Sequence, residues 1–215
     1  MNIGIIGLGK LGLPVALAIE SKGHKVFGYD IDKNVHETIN KKKIKYKEKD
    51  ANKLLKKSKI QIKDIHYIVK NSDIIFISIQ TPHEEKFEGI TKIPKERRDF
   101  NYKYLIKGFK NLSLEINKQK KIKDVVVIST VLPGTIKKYI KPIMSKYINL
   151  TYNPFFIAMG TTIKDFLFSE MILLGTQKKE SRSKLVKFYK SINNSPIFKT
   201  NIENAELIKV VYNTF

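Results

Sequence analysis

Six residues near the start of the chain limit what it can fold into: Gly7-Leu8-Gly9-Lys10-Leu11-Gly12. They follow an apolar, β-branched run at residues 2–6, the pattern of a buried strand. They precede residues 11–21, where Leu, Val, Ala and Ile recur at helical spacing before Gly23 closes the segment. A G-x-G-x-x-G run alone is a weak signal; between a strand and a helix it describes a phosphate-binding turn. Gly7 permits the tight turn, Gly9 lets a pyrophosphate approach the backbone, and Gly12 lets the helix pack against the strand. Unpaired backbone N–H groups at the helix start, around Lys10 and Leu11, add the positive end of the helix dipole. The alternative is a tight strand–helix turn that holds no ligand.

A second strand pattern at residues 25–29 ends in Asp30, 18 residues beyond Gly12. A carboxylate there accepts hydrogen bonds from the adenosine ribose hydroxyls and repels a 2′-phosphate, which favours NAD over NADP. The alternative is an N-cap for the next helix. Further strand patterns fall at 60–62, 73–79, 124–129, 148–152, 171–174 and 197–199. Helical patterns fall at 32–40, 51–57, 102–116, from Pro133-Gly134 onward, at 179–191 and at 202–215. Residues 83–100, with Gly89 and Pro94, read as a loop, and 153–168 as irregular or partly helical. Alternating strands and helices predict an α/β fold: a Rossmann-type, doubly wound, mostly parallel sheet with helices on both faces. Residues 1–200 form the NAD-binding domain in this reading, and 201–215 begin an interdomain helix.

The composition excludes several classes. There are no cysteines, so disulfides, thiolate metal sites and a cysteine nucleophile are absent from these residues. No apolar run reaches the roughly 18 residues of a membrane helix, and the N-terminus has no signal-peptide pattern. A cytoplasmic location is the expectation. The net charge of +21 suggests a polyanion surface. However, only Arg97, Arg98 and Arg182 are arginines, whereas nucleic-acid readers favour arginine. Abundant Lys, Ile and Asn fit an AT-rich coding bias, with Lys41-Lys42-Lys43 and residues 118–121 as solvated charge. Nucleic acid is not an expected partner, nor is a membrane. His24, His36, His66 and His83 lack metal-ligand spacing, so no metal is expected. His24 reads as a turn cap. His83 follows Thr81-Pro82 at a strand end, where ligands bind in α/β sheets.

The whole chain resembles the N-terminal half of the nucleotide-sugar 6-dehydrogenases, the UDP-glucose and GDP-mannose dehydrogenase family. Five stretches carry the resemblance in order: Gly7 to Pro14, Gly28-Tyr29-Asp30, Thr81-Pro82, Ser129 to Thr135, and Ala205-Glu206-Leu207-Ile208-Lys209 with Asn213. A sixth, imperfect match joins Asn153-Pro154 to Gly160-Thr161 and Asp165-Phe166. The first stretch alone also fits 3-hydroxyacid and 6-phosphogluconate-type dehydrogenases; the stretches at Ser129 and Ala205 favour the nucleotide-sugar family. The resemblance implies oxidation of a sugar 6-hydroxyl to a carboxylate through an aldehyde, a thiohemiacetal and a thioester, with two NAD consumed. It implies that Thr81, Pro82 and Thr130 lie near the nicotinamide half of the cofactor or the catalytic water. It puts Lys209 and Asn213 beside the reacting carbon, where a cation and an amide stabilise a developing oxyanion. Four residues apart, they share one helix face.

Two departures stand out. Where the family pattern after Asn-Pro carries two glutamates, this chain has Phe155 and Met159, which cannot accept a proton. Both are expected on the substrate side of the cleft, on the rim that holds Thr130. The family's catalytic cysteine and sugar-nucleotide domain would follow residue 215. The expectation is therefore an NAD-binding half that is inactive alone. The competing expectations are a non-catalytic NAD module or a subunit of a split enzyme, and a 3-hydroxyacid-type dehydrogenase fragment. In the family the last helix continues into the dimer interface. Leu207, Ile208, Val210, Val211 and Phe215 are expected to give it an apolar surface for a homodimer or a separate C-terminal half.

Overall fold

The structure, a computed structural model, describes residues 1–87, 92, 95–96 and 98–214. Gly89, Pro94, Arg97 and Phe215, named above, lie outside the described residues. Eight strands form one sheet in the order β3-β2-β1-β4-β5-β6-β7-β8. They are β1 (Asn2–Ile6), β2 (Lys25–Tyr29), β3 (Gln61–Ile62), β4 (Ile74–Ile77), β5 (Lys123–Val127), β6 (Ile148–Tyr152), β7 (Ile172–Gly175) and β8 (Ile197–Thr200). The first six are mutually parallel. β7 runs antiparallel to β6, meeting it through Tyr152 and Gly175, and β8 runs parallel to β7. The expected mostly parallel, doubly wound sheet is what forms.

Eight α-helices accompany the sheet among the described residues: α1 (Gly12–Ser21), α2 (Lys33–Asn40), α3 (Ala51–Lys57), α4 (Ile65–Asn71), α5 (Lys103–Gln119), α6 (Thr162–Leu167), α7 (Lys179–Lys190) and α8 (Ile202–Thr214). Strand side chains alternate between two hydrophobic layers, as a pleated strand requires. Ile74 and Phe76 of β4 join α1, α6 and α7 in one layer. Ile75 and Ile77 join α4, α5 and α8 in the other. Both layers bury their strand residues completely, which is why β4 and β5 read as unbroken apolar runs. Each such side chain contributes roughly 1.5–3 kcal/mol on burial.

Helix α4 was not foreseen in the sequence. Its seven residues are too few for a clear period, yet Asp64 caps it by accepting from the Tyr67 amide at 2.7 Å, and Ile68 and Val69 are buried. The helix expected after Pro133-Gly134 is a π-type turn at Ile136–Ile140 that tightens into a 3₁₀ turn at Lys141–Ile143. His24 is a correction: instead of capping a turn, it is buried, hydrogen-bonded to Ser191 Oγ at 2.9 Å, with its ring against Phe188. Burial pulls its imidazole pKa down.

Candidate functional site

The chain leaves β1 for β2 on one side, and β4 opens the other side of the sheet. The crevice beyond the C-terminal ends of β1 and β4 is thus the topological switch point where α/β sheets bind ligands. Gly7 sits there with φ +92°, a left-handed backbone that disfavours a side chain. A Cβ on Gly12 would lie 1.9 Å from the Gly7 carbonyl oxygen, so this glycine is required by packing. A Cβ on Gly9 would meet nothing within 4 Å. Gly9 therefore leaves room for something outside the chain, as a pyrophosphate cradle requires.

The start of α1 is left uncapped. Its N-cap residue, Leu11, has no side-chain cap, and the first turn holds no acid. Among the described residues the amides of Lys10 and Leu11 donate no hydrogen bond. At the end of β2, Asp30 Oδ2 accepts from Leu8 N at 2.7 Å and Oδ1 accepts from Asp32 N at 2.8 Å. These bonds fix the half-buried carboxylate beside the glycine turn, and each oxygen keeps further lone-pair capacity. The N-cap role weighed for Asp30 belongs to Asp32, which accepts from the Asn34 amide.

Thr81 and Thr130 are brought together across the ends of β4 and β5. Thr81 Oγ1 donates to the Thr130 carbonyl at 2.7 Å, and Ser129 Oγ donates to the Ile79 carbonyl at 2.6 Å. Pro82 is half-buried, and its carbonyl accepts from Asn101 N at 2.7 Å. The turn after Thr130 is held from one side by Tyr102, whose hydroxyl accepts from Leu132 N at 3.1 Å and from Thr135 Oγ1 at 3.2 Å.

Helix α8 closes this side. Lys209 is 6% exposed, and its Nζ donates to the Phe155 carbonyl and to Asn213 Oδ1, each at 2.8 Å. The ammonium also lies 5.1 Å from the centre of the Phe156 ring. Among the described residues no carboxylate pairs with it, and burial lowers its pKa below the usual lysine range. Two participants were missed in the sequence. Phe156 sat inside an irregular segment with no pattern. Glu206 precedes Lys209 by one helical turn and shares its inward face, a spacing visible in the sequence but not read for it. Glu206 is fully buried, accepting from Gly134 N at 2.7 Å and Ile136 N at 2.8 Å.

Phe155 and Met159 follow β6 at the same strand-end edge, since Asn153 N donates to the Val127 carbonyl of β5. Their side chains take different courses. The Phe155 ring is buried against Phe166, with centroids 5.3 Å apart. Met159 is 60% exposed, beside Gly160, whose amide is held by Glu48 Oε2 at 3.0 Å. Asn153 is buried and structural: its Nδ2 donates to the Leu173 carbonyl at 2.9 Å, and its Oδ1 accepts from Tyr189. His83 lines an open cleft with Glu84, Arg98 and Phe100, its ring tilted against that of Phe100 with centroids 6.0 Å apart. Among the described residues no three His, Asp or Glu side chains gather into a metal-binding group, and no helix is long and apolar enough to cross a membrane.

Comparison with known proteins gives a consistent picture. A sequence model described as the UDP-glucose/GDP-mannose dehydrogenase family, NAD binding domain, matches residues 1–193. GDP-mannose 6-dehydrogenase of Pseudomonas aeruginosa is 28% identical over 228 aligned residues, covering 100% of this chain and 50% of that protein. UDP-glucose 6-dehydrogenase of Rickettsia prowazekii is 31% identical over 224 residues, covering 100% and 48%. Among solved structures, a ternary complex of GDP-mannose dehydrogenase from Pseudomonas aeruginosa superimposes with a TM-score of 0.88 at 27% identity, over 100% of this chain and 49% of that one. A UDP-D-ManNAc dehydrogenase from Pyrococcus horikoshii gives 0.81 at 25% identity, over 100% and 50%. The chain spans about half the length of these two relatives.

Proposed function

Because the chain belongs to the UDP-glucose/GDP-mannose dehydrogenase family and carries its NAD-binding domain, we propose that it supplies the NAD-binding half of a nucleotide-sugar 6-dehydrogenase. The observation that carries this reading is the inward-facing Lys209. It is tied to Asn213 and to the backbone after β6, at the sheet edge that also bears the glycine turn. An amphipathic surface helix would leave such a lysine in water.

In this reading the backbone at Gly7, Gly9, Lys10, Leu11 and Gly12 holds the pyrophosphate, and Asp30 accepts from the adenosine ribose. Thr81, Pro82 and Thr130 flank the nicotinamide half. NAD, when bound, supplies the electron acceptor. Lys209 and Asn213 present a cation and an amide to an oxygen that gains negative charge as a sugar alcohol is oxidised. The low-dielectric surroundings of Lys209 strengthen that interaction. Residues 1–200 form the cofactor domain and α8 the start of a connection beyond it. Leu207 and Val211, 52% and 46% exposed on α8, suit a homodimer contact or docking of a C-terminal half. A cytoplasmic setting, where NAD is available, fits this role.

A second reading, a non-catalytic NAD module, is favoured by Phe155 and Met159, which put no proton acceptor where the family pattern has glutamates. The test is spectrophotometric. With UDP-glucose or GDP-mannose and NAD, the 215-residue chain alone yields no steady NADH, since the family's sugar-nucleotide domain, with most of its substrate contacts, is not among these residues, and they include no cysteine to carry an aldehyde on to the acid. NADH appears when a cysteine-bearing sugar-nucleotide domain is supplied. Steady turnover by the chain alone overturns the half-enzyme reading. Failure of the completed protein with every nucleotide sugar tried favours the non-catalytic one.

A further inference from the structure

Glu206 has the least solvent contact of the acidic groups along α8, with 0% exposure, and it takes no part in the chemistry outlined above. Its carboxylate is matched by two backbone amides, Gly134 N at 2.7 Å and Ile136 N at 2.8 Å, rather than by a cation. These amides open the first turn of the helical segment Ile136–Ile140, where uncapped N–H groups attract a negative charge. The cap for that turn therefore comes from a residue 72 positions away. Burial raises the carboxyl pKa even though both amides pull it down, so keeping this charge inside is costly. Local residues cap α2 and α4 without such a cost. A second tie, Lys141 to Glu203 at 3.5 Å, joins α8 at the surface to the 3₁₀ turn that continues this segment.

Along α8, Glu206, Lys209 and Asn213 lie at i, i+3 and i+7, on one face. Glu206 grips the turn that follows Thr130, and Lys209 grips the backbone that follows β6. We propose that Glu206 is a positioning residue that locks the Thr130–Ile136 turn to α8, so that cofactor contact at Thr130 and the placement of Lys209 and Asn213 are set together. This rests on the reading that Thr130 flanks bound NAD. NAD association at Thr130 then stiffens α8, and any change it makes in the affinity of a partner docked on α8 is matched by an equal change in NAD affinity, as linkage requires. An apolar residue at this position would leave two buried amides unpaired and let the turn and the helix move separately.

The test is hydrogen exchange of the full chain with and without saturating NAD, on the native protein and on Glu206→Gln. Glutamine keeps the shape but offers one acceptor to two amides. In the native chain NAD slows exchange at the glycine turn, at residues 130–136 and along α8. In Glu206→Gln protection at the glycine turn persists, protection of α8 is lost, and NAD binding weakens about fivefold, the low end of typical coupling. A merely structural role lowers the melting temperature but leaves the NAD-induced protection of α8 intact in the folded variant, and that result overturns the proposal. Should Glu206→Gln not fold, the native measurement decides: protection of 130–136 without α8 refutes the coupling. Protection confined to the glycine turn refutes the Thr130 reading beneath it.

Discussion

The two halves of the crevice are built at different ranges along the chain. On the glycine-turn side the decisive contacts are local: Leu8 N reaches Asp30 across 22 residues, and Gly7 against Gly12 lies within one turn. On the α8 side, Lys209 reaches the Phe155 carbonyl across 54 residues and Glu206 reaches Gly134 across 72. The first side uses backbone amides and one carboxylate, preset by a strand–turn–helix unit. The second side uses buried charges that exist only once β5, β6 and α8 have assembled. The glycine-turn half is thus a local device, and the α8 half is a tertiary one.

The largest expected effect separates packing from ligand contact within the local half. Gly12→Ala places a methyl 1.9 Å from a carbonyl oxygen. It should cost about 3 kcal/mol or more in urea unfolding, as backbone clashes in tight sites do. Gly9→Ala meets open space and should change stability by no more than about 0.5 kcal/mol, while NAD binding drops by about tenfold or more. If Gly12→Ala unfolds at the native urea midpoint, the turn is looser than described and the contrast with the α8 side collapses.

A smaller effect is expected on the tertiary half. Lys209→Met removes a desolvated charge but leaves the Phe155 carbonyl without its donor, so the two changes offset and stability near neutral pH should move by no more than about 1 kcal/mol. The pH dependence follows from the lowered pKa of Lys209. A base whose folded pKa is depressed contributes stability above its unfolded value that is lost as pH falls toward the folded one. Native stability should therefore gain on Lys209→Met as pH rises toward the ordinary lysine range. Urea midpoints from neutral to alkaline pH that stay parallel for the two proteins would show that the ammonium is not desolvated. The smallest effect concerns association. Leu207 and Val211 changed together to Ser should leave the fold intact and lower the apparent mass in light scattering at high salt, where charge repulsion is screened. A native chain that is monomeric at low and high salt alike would remove α8 as an interaction surface.

This difference in range also explains what the sequence makes legible. The strand, turn and helix from residue 2 to 21, Asp30, and the buried β4 and β5 all carry local signals: glycine spacing, a terminal carboxylate, continuous apolar runs. The antiparallel turn of β7 against β6 has no local marker, because Ile172–Gly175 is equally apolar in either direction. Helix α4 is hidden by its brevity. Lys209 and Asn213 could be named from the family pattern, yet their contact with the Phe155 carbonyl could not be, since a backbone oxygen leaves no trace in residue type. Glu206 stands in a stretch that carries the family resemblance, but only the packing of α8 over the Gly134 turn gives it partners. Phe155 and Met159 share an expectation in sequence and separate in space, because the segment after β6 turns one ring into the core and leaves the thioether side chain largely in solvent.

The central claim is that this chain holds NAD through the glycine turn and Asp30, and calorimetric titration with NAD and NADP at matched ionic strength tests it most directly. NAD should bind more tightly than NADP, because a carboxylate at Asp30, fixed by Leu8 N and Asp32 N, would accept from ribose hydroxyls and repel a 2′-phosphate. In Asp30→Ala the preference should close as NAD binding falls by about 1.5–3 kcal/mol, the worth of a hydrogen bond to a charged group. Equal or tighter binding of NADP by the native chain, or an unchanged preference in Asp30→Ala, would contradict it.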